Sequence, residues 1–85
     1  MLRKQRSFIE EIRGSVFETK NDLEAAWLHN LNEAISFEIG WGAGIKGDYI
    51  FVCRTDDYEY ILDVIDTHKG YMVTGGTVIE WKPLE

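Results

Sequence analysis

Between Gly40 and Gly47 four of eight residues are glycine (40, 42, 44 and 47), and the apolar residues on either side follow different periods. Glycine loses the most backbone freedom on ordering, so such a run sustains neither helix nor strand and the chain must turn there. Before it, Leu23, Trp27, Leu31, Ala34 and Ile35 fall within roughly 120° of a helical wheel. Asn21-Asp22-Leu23-Glu24 offers an N-cap with Glu three residues on, the capping-box spacing. Phe37, Ile39 and Trp41 then alternate with Glu38 and Gly40, the pattern of a strand buried on one face. After the run, Tyr49-Ile50-Phe51-Val52-Cys53 is apolar on both faces, as a central strand is.

The outer segments follow the same logic. Leu2, Phe8, Ile9 and Ile12 share one side of a short amphipathic helix that Arg13-Gly14 ends, leaving Ser15 to Thr19 as a short strand. The alternative extends the helix to Glu18 through Val16. Thr55-Asp56-Asp57 reads as the cap of a third helix, in which Tyr58, Ile61, Leu62 and Ile65 keep the i, i+3, i+4, i+7 rule and His68-Lys69-Gly70 closes the element. A strand over 58–65 would put Ile61 and Ile65 on one face with Glu59 and Asp63, so the helical period is preferred. Gly75-Gly76 between Tyr71–Thr74 and Thr77–Lys82 is a two-residue hairpin signal, which would set Trp81 opposite Gly70.

These elements make a single α+β domain over residues 1–85, an N-terminal helix (1–14) followed by an α+β body (15–82). Two β-α-β halves joined by a glycine hairpin form the split, ferredoxin-like β-α-β-β-α-β arrangement, with one further strand at the C-terminal end. Leu84-Glu85 after Pro83 has the look of an expression-vector remnant and carries no weight.

Composition narrows the function classes. The formal charge is −6, but residues 1–20 carry +2 and the remaining 65 carry −8. A nucleic-acid surface needs a continuous cationic footprint, which this acidic body lacks. Lys46-Gly47 before an aromatic strand resembles the start of the RNP1 pattern of RNA-recognition domains, but Asp48 and Ile50 stand where stacking aromatics belong. The basic start lacks the apolar run of a signal peptide, and no segment has the roughly 20 apolar residues of a membrane span, so a cytoplasmic location is expected. A single cysteine, Cys53, excludes a disulfide framework, and its apolar strand makes it a core residue rather than a nucleophile.

No catalytic motif is present, and neither a metal nor a cofactor is implied. His29 and Glu33, four apart, supply two ligands at most, which do not make a zinc site. The glycine run precedes a strand rather than opening a helix, so it is no phosphate loop. Trp41, Gly42, Gly44 and Lys46 could instead form a ligand-covering hairpin, which defines the alternative function, a small-molecule binding domain. A small enzyme without a recognisable motif comes third.

The leading expectation rests on charge. On the expected third helix Asp56, Glu59, Asp63 and Asp66 project within roughly 80°, in a row of about 15 Å bordered by Tyr60. Such a face is either a solvated surface or a docking strip for a basic partner. The chain thus reads as a small acidic, non-catalytic interaction module that binds another protein, its sharper form being an inhibitor that occupies a basic nucleic-acid-binding surface. A homodimer is also expected, because Tyr71, Val73 and Val78 on one face and Met72, Ile79 and Trp81 on the other leave the last hairpin apolar on both sides.

Overall fold

Two helices lie on one face of a five-stranded antiparallel sheet in the computed structural model, which describes residues 2–39 and 48–80. Helix α1 (Arg3–Ile12) buries Gln5, Phe8, Ile9 and Ile12, the 3.6-residue stripe that its sequence encodes. Gly14, at φ +89°, turns the chain into β1 (Val16–Phe17), as the Arg13-Gly14 ending requires. Helix α2 (Lys20–Leu31) opens two residues earlier than Asn21-Asp22 suggests. The Thr19 hydroxyl accepts from the Asp22 amide and the Asp22 carboxylate accepts from the Thr19 amide, both at 3.2 Å. Asn32 in the left-handed region ends it at φ 56°.

The remaining strands are β2 (Ser36–Ile39), β3 (Asp48–Arg54), β4 (Tyr58–Thr67) and β5 (Gly70–Glu80). Their order across the sheet is β1-β5-β4-β3-β2, and every pairing is antiparallel. β4 is therefore the central strand, and β1 and β2 are the edges.

Three expectations are corrected here. The third helix is β4. Its Thr55-Asp56-Asp57 "cap" is a hairpin turn in which Thr55 Oγ1 accepts from the amides of Asp57 and Tyr58, at 3.3 and 3.1 Å. A Thr that captures amides two and three residues ahead serves a turn as well as a helix start, so the signal is the same for both. His68-Lys69 is the β4–β5 turn, with Thr67 Oγ1 donating to the Gly70 carbonyl at 2.7 Å. Gly75 and Gly76 lie within β5 beside a β-bulge that skips Thr74, so no hairpin forms there. The ferredoxin-like order fails for the same reason. It needs a second helix crossover between β3 and the last strands, and this chain meanders instead.

The covered face of the sheet holds the core. Phe51, Cys53, Tyr60, Leu62, Val64, Val73 and Val78 meet Phe8, Ile9, Leu23, Trp27 and Leu31 from the helices. Trp27 is fully buried and stacks edge-on against both Phe8 and Tyr60, with centroids at 4.6 and 5.1 Å. Gly76 is what lets α1 lie close. A Cβ there would stand 3.0 Å from the Ile61 carbonyl oxygen and 3.3 Å from Ile9 Cγ2.

Candidate interaction surface

Strand alternation sends every second residue of the sheet away from the helices. In register across that outer face lie Val16–Met72–Ile65, then Gly75–Asp63–Ile50, then Thr77–Ile61–Val52, then Ile79–Glu59–Arg54–Ser36. Neither helix covers it. Ile50 is 57% exposed, Ile79 42% and Val16 40%, while Val52, Ile61, Ile65 and Met72 are half-buried among their neighbours. One corner is charged, with Arg54 Nε 2.8 Å from Glu59 and its guanidinium 3.6 Å from Glu38. Asp63 stands alone in the middle, since among the described residues its carboxylate makes neither hydrogen bond nor ion pair. Gly75 opposite leaves that carboxylate uncovered, and a Cβ on Gly75 would come no nearer than 3.7 Å. Beside it a depression of about 450 Å³ is lined by Tyr49, Ile50, Asp63, Val64, Ile65 and Thr74.

The expected acidic strip does not exist as such. A strand separates what a helix would have joined: Glu59 and Asp63 share the outer face about 13 Å apart, Asp66 falls on the opposite side, and Asp56 sits in the β3–β4 turn. Tyr60 is fully buried rather than exposed. Carboxylates do gather at the turn. Glu33, Asp56 and Asp57 line a shallow cleft of about 230 Å³ with Tyr58, whose hydroxyl pKa is raised by burial and then by Glu80, Glu33 and Asp57.

Beneath that cleft lies a polar cluster that no sequence motif announces. Glu33, in the link between α2 and β2, accepts from the Tyr60 hydroxyl at 2.5 Å and from Gln5 Nε2 at 2.8 Å. Burial, followed by the bond to Glu33 and its charge, raises the Tyr60 pKa far above that of a free phenol, so Tyr60 remains the donor. Gln5 Oε1 and Trp27 Nε1 are buried with no hydrogen-bond partner within normal geometry among the described residues. The cluster ties α1, the α2–β2 link and the central strand together. His29 stays exposed on α2, and Glu33 is occupied elsewhere, so the two do not form a ligand pair.

Other candidates resolve simply. Cys53 is fully buried and desolvation pushes its thiol up to about 12, which leaves it unreactive at neutral pH. Among the described residues no group of three or more His, Cys, Asp and Glu side chains could hold a metal, and no helix is long and apolar enough to cross a membrane. Trp41, Gly42, Gly44 and Lys46 lie outside the described residues. A cavity of about 680 Å³ between α1 and the end of α2 is lined by Phe8 and Leu31 together with Arg3, Lys4 and Glu11, and these opposed charges select no ligand class. Compared with protein-family models, with curated proteins and with solved structures, the chain matches none.

Proposed function

We propose that this protein is a small acidic, non-catalytic module that binds another protein through the outer face of its sheet. Ile50 carries the reading: a large apolar side chain more than half exposed, in the midst of further half-buried apolar residues, on a face that neither helix covers. Contiguous apolar surface of this kind with a charged border marks interaction sites. The partner is basic, because among the described residues the face carries Glu38, Glu59 and Asp63 against Arg54, in a chain of net charge −6. An inhibitor that covers a basic nucleic-acid-binding surface is the sharper form of the same proposal.

The test is affinity capture with tagged wild-type protein beside Ile50→Glu. A single basic protein should be retained in stoichiometric amount by the wild type and lost by the variant, with circular dichroism unchanged. Equal recovery by both would move the contact off this face.

A further inference from the structure

We infer that the depression at the β4–β5 bulge is a recognition site for one basic side chain, Arg or Lys, of a protein partner that covers the outer sheet face. This rests on the reading of the chain as a protein-binding module. The depression exists because the Tyr49–Val64 pair directs its side chains to the helix side, leaving a gap between the Ile50–Asp63 pair and Ile65. The bulged residue Thr74 closes one end, its hydroxyl donating to the Asp63 carbonyl at 3.2 Å and fixing the backbone beneath the carboxylate. The result is an apolar wall of Ile50 and Ile65 with one carboxylate beside it. An aliphatic stem carrying a terminal cation needs both of these features.

Charge decides between occupants. The described cation of this face, Arg54, already lies against Glu59 and Glu38, whereas Asp63 has no partner among the described residues. A partner that covers Asp63 without supplying a cation would bury an uncompensated charge, a costly arrangement. A second copy would offer, among the described residues of the same face, only Arg54 as a cation, and that guanidinium is already engaged by Glu59 and Glu38. A basic side chain from a different protein satisfies the carboxylate and lays its stem on Ile50 and Ile65.

The experiment titrates the full chain with two synthetic peptides that alternate apolar residues around a central Arg or a central citrulline, the neutral isostere. Methyl NMR reads the response. The Arg peptide should shift the Ile50 and Ile65 methyl signals, the citrulline peptide should bind about tenfold more weakly, and Asp63→Asn should erase that difference. Asp66→Asn, on the opposite side of β4, should preserve it. Perturbation confined to the Asp56-Asp57 turn, equal binding of both peptides, or no binding would overturn the site. So would a concentration-dependent dimer that buries Ile50 in wild type and Asp63→Asn alike. The capture experiment with Ile50→Glu reads the broader proposal separately, so a partner lost by Ile50→Glu but held by Asp63→Asn sinks this inference alone.

Discussion

Cys53 and Tyr60 sit side by side on β3 and β4, and both are held protonated by burial. A thiol whose folded pKa is raised from 9.0 to about 12 contributes stability that is whole below pH 9 and is lost progressively as pH climbs towards 12. At pH 10 the loss is on the order of 1 kcal/mol. Thermal unfolding followed from pH 8 to 10.5 should therefore show a falling midpoint. Cys53→Val should flatten the fall below pH 10, while the Tyr60 contribution, also raised, persists above it. Glu33 makes the second prediction at this scale. Glu33→Ala leaves the buried Tyr60 hydroxyl and the Gln5 amide without an acceptor and should cost about 2–4 kcal/mol in urea unfolding. In the Tyr60→Phe background the same change should cost less, because the two groups share one bond. The sequence placed Cys53 in the core correctly. It showed Glu33 only as the neighbour of His29 at helical spacing, because a polar cluster assembled from α1, a loop and a central strand leaves no periodic trace.

At the scale of the element, β4 is the instructive case. Reading it as a helix followed from refusing to put Ile61 and Ile65 on a face with Glu59 and Asp63, yet that mixed face is the one observed. A strand paired along both edges gains its backbone bonds from its neighbours, and Tyr58, Tyr60, Ile61, Val64 and Ile65 suit a pleated surface. Alternation also collects Tyr60, Leu62 and Val64 on the core side, a set that the helical reading had scattered. The β5 faces were legible for an accidental reason. A two-residue turn and a bulge both invert the side-chain parity, so Tyr71, Val73 and Val78 fall on the core side in either case. Gly76 supplies a prediction here. Gly76→Val should push α1 from the sheet and lower stability by about 1–3 kcal/mol, whereas Gly75→Ala, whose Cβ would make only an ordinary contact with the Asp63 carboxylate, should cost less than about 1 kcal/mol in the same denaturant assay.

Across the whole molecule the two faces of one sheet differ in kind. Leu62→Ala on the covered side should cost about 2–5 kcal/mol by chemical denaturation. Ile50→Thr on the outer side should stay within about 0.5 kcal/mol, and a large loss there would mean that the side chain is not exposed in solution. The α+β class, both helices of the structure and the N-terminal break at Gly14 were readable from apolar period and capping chemistry. The strand order was not. Order depends on which edges meet, and once residues 58–67 count as helix the meander becomes a crossover.

The pairing of Val16 with Met72 and of Phe17 with Tyr71 has a consequence for biosynthesis. A strand whose partner lies so far along the chain cannot dock until that partner has left the ribosome. Until β5 emerges, α1 has no Gly76 to rest on, and the apolar side chains of the meander face solvent or a chaperone. Pairing of β1 thus waits for translation of β5 rather than proceeding vectorially, and closing so long a loop slows that step. A chain stalled or nicked before β5 would present its partial sheet to quality-control proteases as an open substrate.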